Sequence, residues 1–194
     1  MFTNKLPALA GGLAIFTPDM TRYSEFTDRI LRSEGLLRKL FPKDISDREA
    51  WRLVRDADNA TVAGIVRGGL LYALDDLAGC HEFFQDTAIP LVSYWHGMMH
   101  RREADFENAR YWFRRSGALP FFDTLHHKAA LISADVAKQL SWDPYLFTGN
   151  CEQQRFGGEL SEPELVKVQQ AEFEVVFDYS WRQGKSGTYP NFPP

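Results

Sequence analysis

The chain runs to 194 residues, with 44% hydrophobic side chains and a net charge of −4. That is enough apolar material for one self-supporting core, and the acidic balance argues against nucleic acid or an anionic membrane surface as partner. No apolar run reaches the roughly 18 residues that span a bilayer, and the two cysteines, Cys80 and Cys151, match no zinc or redox spacing, so they read as buried thiols of a cytoplasmic protein.

Leu6 to Phe16 is apolar and rich in glycine and alanine behind a single Lys5. It lacks a strong basic region and a small-x-small cleavage site, so it reads as an arm packed on the core. From Thr21 onward, Tyr23, Phe26, Ile30, Leu37 and Leu40 recur at helical steps, and Phe41-Pro42 ends that helix. Ser46-Asp47-Arg48-Glu49 predicts a capping box ahead of a short helix through Trp51 and Val54. Asn59 or Thr61 opens a longer helix whose apolar face runs from Val62 past Leu77 to Phe84. Glycines at 64, 68 and 69 weaken it intrinsically and predict the close approach of a neighbouring helix. Pro90 starts the next helix at its first turn, which ends near Arg102. Asp105 caps another from Phe106 to Arg115, closed by Ser116-Gly117. Pro120 opens a helix through Lys128, and Ser133 or Asp135 caps a short turn ending near Leu140. Trp142-Asp143-Pro144 begins a helical or looped piece carrying Tyr145, Phe147 and Cys151. Beyond a glycine-containing loop at 155–160, Ser161-Glu162-Pro163-Glu164 caps a last helix to about Gln183, with Leu165, Val168, Phe173, Val176, Phe177 and Trp181 facing inward. Alternating strand-type runs are absent. The expectation is an all-α, single-domain bundle of six to eight helices over residues 1–183, with a flexible tail at 184–194.

Chemistry concentrates between Tyr94 and Arg115. On a helix, His96 and His100 lie one turn apart and Glu103 returns to the same face. Such a stripe suits a ligand, a metal or a reacting proton. Two imidazoles at this spacing can share one ion, but the metalloprotease pattern needs a glutamate directly after the first histidine. Gly97 stands there, which excludes that mechanism; a metal site with ligands recruited from His81 or Asp76 stays open, but no metal ligand is assigned and no cofactor is named. His96, His100 and Glu103 are the candidates for general acid–base work. Upstream, His81 and Gln85 share a face one turn apart, with Asp76 nearby. If the helices that carry them pack side by side, His81 approaches His96 or His100. Arg101, Arg102 and Arg115 are candidate grips for a carboxylate or phosphate, although Glu103, Asp105 and Glu107 are close enough in sequence to pair with arginines internally. Tyr111 needs a partner for its hydroxyl and is assigned to the pocket with Asp105 and Asn108, which are also able to close the turn between the helices. No phosphate-binding glycine loop and no nucleophile elbow is present.

The stretch from Ala104 to Arg115, with Pro120 beyond it, resembles the second helix of a tetratricopeptide repeat, and Gly97 falls where the first helix of that repeat carries its glycine. The likeness covers one helical hairpin, with no second copy in the chain. The string from His100 to Arg115, His-Arg-Arg-Glu-x-Asp-Phe-x-Asn-Ala-x-Tyr-Trp-Phe-Arg-Arg, resembles a group of bacterial and fungal proteins of similar size to which no activity is assigned. Their upstream Asp-x-x-x-Ser-His-x-x-x-Gln segment corresponds to Asp76, Cys80 in place of the serine, His81 and Gln85, and the Glu172 to Tyr179 stretch is similar as well. This resemblance spans most of residues 70–182 and implies a helical fold and a set of candidate residues. Two functions are expected from the whole. One is a pocket of histidine, arginine and carboxylate that binds a small anionic ligand or acts on it by histidine acid–base chemistry. The other is a tetratricopeptide-like module that takes a peptide or protein partner without catalysis. Neither nucleic acid nor a membrane is expected as partner.

Overall fold

A computed structural model of the chain describes residues 23–59, 62, 64–84 and 89–185. The N-terminal arm, Thr21, Thr61, Gln85 and residues 186–194 lie outside them. Side-chain caps set most helix starts. Ser24 accepts from the Thr27 amide at 3.2 Å and opens α1 (Glu25–Leu31). The expected run to Leu40 stops nine residues early, because Gly35 and Leu37 take positive φ values of 87° and 52° and turn the chain. Leu37 and Leu40 are nonetheless buried. Helix α2 (Arg48–Asp56) is capped by Asp47 rather than Ser46, its carboxylate accepting from the Glu49 and Ala50 amides at 3.0 Å.

The long helix expected through Phe84 is two helices, α3 (Gly64–Ala73) and α4 (Leu77–Phe84). Asp75 breaks it at φ 65°. Apolar periodicity continues through this point, so the break comes from its partners: the Asp75 carboxylate pairs with Arg102, and Asp76 caps α4 by accepting from the Gly79 amide at 2.9 Å. The glycines of α3 do admit close neighbours. A Cβ on Gly68 would meet the Phe84 ring at 2.3 Å, and one on Gly69 would meet Phe177 at 2.8 Å.

Helix α5 (Pro90–Arg102) begins at its proline, as expected. Asp105 caps α6 (Phe106–Ser116) through the Asn108 amide at 3.2 Å, and Gly117 ends it at φ 60°. There follow α7 (Phe122–Ala130), α8 (Ala134–Ala137), α9 (Pro144–Arg155) and α10 (Glu162–Lys185). The described residues thus hold ten helices and no strand, in a single all-α domain. The count exceeds six to eight because α3 and α4 separate and the Pro144 segment is a full helix.

Helices α5 and α6 form the most tightly packed pair. Helix α4 lies against α5, α3 against α4 and α10, and α9 against α6. Gly97 permits the α5–α6 approach: a Cβ there would meet the Phe113 ring at 2.7 Å. In the core, Trp95 stacks on Phe84 at 5.7 Å and donates from Nε1 to Ser180 at 2.9 Å. Burying each of these large apolar side chains contributes about 1.5–3 kcal/mol. The result for the site is geometric: one face of α5, carrying two histidines, is presented to α4, which carries a third.

Candidate functional site

His96 and His100 stand one turn apart on α5 and stack at 4.7 Å with 17° between their planes. His81, from α4, meets both rings edge-on, at 4.9 Å from His96 and 5.2 Å from His100. One nitrogen from each of the three lies within 4.8 Å of the other two. His96 and His100 are buried, and His81 is partly open to solvent. Trp112 of α6 closes the far side of His96, stacked at 3.9 Å and 14°, and the Arg115 guanidinium lies 5.3 Å from the Trp112 ring.

Hydrogen bonding in this cluster is incomplete in one direction. His100 Nδ1 lies 3.0 Å from Glu103 Oε2 and 3.9 Å from Asp105 Oδ2, while its Nε2 has no partner. Both ring nitrogens of His96 are buried without a hydrogen bond of acceptable geometry. Burial, reinforced by His100 and His81, lowers the His96 pKa to about 3, and the Phe84 backbone nearby offsets only part of that shift. His96 is therefore a neutral imidazole across the physiological range, with one N–H and one lone pair on its two ring nitrogens. Cys80 sits next to His81 in sequence, is fully buried, and burial pushes its thiol well above the usual range. It stays a thiol, and the imidazoles are the donors.

The remaining sequence candidates fall into three positions. Arg101 and Arg102 are both buried and engaged internally. Arg101 pairs with Glu172 of α10, and its guanidinium lies 4.5 Å from the Phe147 ring. Arg102 pairs with Asp75 and donates to the Tyr72 carbonyl at 2.8 Å. Asp76 is held by the Trp51 indole at 2.7 Å as well as by its capping bond. Asp105 and Asn108 close the turn into α6, the Asn108 side chain donating to Asp105 at 3.4 Å. Tyr111 is 44% exposed, its hydroxyl accepting from Arg115 at 3.3 Å. Gln85 lies outside the described residues.

Two important groups escape sequence reasoning. Glu172 accepts from Tyr94 at 2.7 Å as well as from Arg101, and Tyr94 in turn accepts from the Trp142 indole at 2.7 Å. Its only local signal is an acid set between Ala171 and Phe173 on the buried side of α10. Trp112 is the plate against which His96 is held. Comparison with protein-family models, with curated proteins and with solved structures returns no match for this chain.

Proposed function

We propose that this chain is a metal-dependent protein in which His81, His96 and His100 bind one divalent ion of the zinc class, leaving a coordination position for water or substrate. The supporting observation is the set of buried imidazole nitrogens without partners. Buried polar atoms in folded proteins are nearly all hydrogen-bonded, and leaving one unsatisfied costs about 1–3 kcal/mol. Of the three such atoms here, one His96 nitrogen carries that ring's hydrogen, and the other His96 nitrogen and His100 Nε2 offer lone pairs that a cation would accept. His96 is the most telling, since a ring with a pKa near 3 is a weak general base and an available metal ligand.

Glu103 completes the pattern. Metal-binding histidines usually direct their second nitrogen to a carboxylate, which fixes the tautomer and the ring orientation. With Nδ1 of His100 held by Glu103 at 3.0 Å, Nε2 is the atom left to coordinate. Tetrahedral zinc with bonds of about 2.0–2.1 Å separates its ligand atoms by roughly 3.3 Å, so nitrogens within 4.8 Å need to close by no more than about 1.5 Å. Structural zinc sites are filled by four protein ligands, whereas three-ligand sites keep a place for water and lower its pKa to about 7. Metal-activated water, acting as nucleophile or proton donor, is the chemistry this donor set favours over metal-free histidine catalysis.

The buried, unpaired thiols of Cys80 and Cys151 support a reducing, cytoplasmic setting. No helix among the described residues is long and apolar enough to cross a membrane. A tetratricopeptide-like interaction module has less support: Arg110, a natural contact for such a groove, is tied to Glu107 and Glu152.

The test is metal analysis of tag-free protein, followed by cobalt substitution. The reading requires one equivalent of metal, a tetrahedral cobalt spectrum, and at least a thousandfold loss of affinity in His96→Ala/His100→Ala. A chain that takes up no zinc or cobalt while remaining folded would overturn it.

A further inference from the structure

A second feature lies on the other side of Glu103. The segment at 41–48, the α3–α4 turn, the α5–α6 turn and the adjoining ends of α9 and α10 enclose a groove of about 820 Å³. That volume suits a small molecule. Its apolar lining includes Phe41, Pro42, Leu77 and Ala78.

The charges in the groove divide into two sets. Asp75 and Arg102 neutralise one another, Asp76 is held by Trp51 and Gly79, and Glu103 is held by His100. These groups form a fixed wall. Lys43, Arg48 and Arg155 also line the groove, and none of them has an ion-pair partner among the described residues. Arg155 is steadied by the Phe41 ring, 5.9 Å from its guanidinium carbon. Asp44 and Glu162 are the unpaired acids of the same groove. The free groups are therefore three cations and two carboxylates. A ligand that matches both carries an anionic group for the cations and amine or hydroxyl donors for the acids.

We propose that this groove binds a small zwitterionic or polyhydroxylated anion, a phosphate ester or carboxylate, through Lys43, Arg48 and Arg155, and that Glu103 couples its occupancy to the histidine site. Glu103 is the shared residue: it lines the groove and orients His100. A ligand that draws on its carboxylate alters the hold on His100, and by linkage a metal on His100 alters the ligand's affinity by the same factor. Binding in the groove does not depend on the metal reading, but the coupling does.

Calorimetry on the full chain at low salt, with O-phosphoserine as the probe and inorganic phosphate and serine as controls, separates the two. In metal-free protein O-phosphoserine is expected to bind at least tenfold more tightly than either control. It should lose at least tenfold in Lys43→Ala/Arg48→Ala/Arg155→Ala and keep its affinity in His96→Ala. No O-phosphoserine binding, or binding that survives the triple substitution, overturns the groove. With zinc added, the affinity should change at least threefold, and Glu103→Gln should remove the change. Equal affinities with and without bound zinc overturn the coupling. Failure of zinc to bind at all overturns the metal reading and the coupling together, and leaves the metal-free result to decide the groove.

Discussion

Two buried polar clusters lie next to one another in this molecule and are built on opposite terms. Arg101 and Arg102 are enclosed as completely as any leucine, yet each meets a carboxylate, Glu172 of α10 for one and Asp75 of the α3–α4 turn for the other, and Tyr94 and Trp142 complete the network around Glu172. His96 and His100, on the stretch of α5 that leads directly into them, are enclosed to a similar degree with three ring nitrogens unanswered. The arginine network has each charge answered by a carboxylate, with only the Nε–H groups of Arg101 and Arg102 left without a partner, and it holds distant parts of the chain together. The histidine cluster is finished on one side only, by Glu103. Buried polarity alone therefore does not mark a site. Unpartnered nitrogens gathered on two stacked imidazoles, with a third imidazole in reach, do.

This contrast can be broken most forcefully on the arginine side. Glu172→Ala leaves the Arg101 charge buried and unpaired, and is expected to destabilise the fold by about 3–5 kcal/mol. Urea unfolding measures it, and a loss under 1 kcal/mol would mean that Arg101 finds water or another acid. On the histidine side, a saturating ion should stabilise. At a free zinc concentration one hundred times its Kd, the gain is about 2.7 kcal/mol, read as a rise in Tm that is absent in His96→Ala/His100→Ala.

Acid should also separate the clusters. In metal-free protein His96 resists protonation down to about pH 3, whereas in the unfolded chain it protonates at the ordinary value near 6.5. Between those limits the unfolded state binds more protons. Stability contributed at His96 is thus present above pH 6.5 and is lost as pH falls, by about 1.4 kcal/mol per pH unit. Comparing the unfolding of wild type and His96→Leu from pH 7.5 to 5 isolates this slope, and parallel curves would remove it. The smallest effect on folding is expected at Glu103. Glu103→Gln should change metal-free stability by under about 0.5 kcal/mol while weakening zinc by about tenfold or more, which competition with a chelator would detect.

Much of the fold could be read locally, because its signals are local. Pro90 begins α5, Asp105 caps α6 and Gly117 stops it, each with the backbone geometry that its residue type favours. The break at Asp75 could not be read in this way. The apolar period runs through it, and what bends the chain is an arginine 27 residues away. The same holds for the arginines themselves. Glu103, Asp105 and Glu107 are near in sequence, yet among these only Glu107 takes an arginine, Arg110, and Arg101 reaches Glu172 across 71 residues. His96 and His100 were identifiable from a spacing of four. The third histidine depended on whether α4 would lie along α5, which the Asp75–Arg102 pair and the Asp76 cap decide together.

Gly97 follows His96 in the chain, and Phe113 follows Trp112. With a hydrogen in place of a methyl group, α5 lets the Phe113 ring settle directly against its backbone, and that seating brings Trp112 to 3.9 Å from His96. An alanine at 97 would push Phe113 outward and carry the indole with it, giving the imidazole room to tip. How rigidly one ring is aimed thus depends on a side chain that is missing from the next residue.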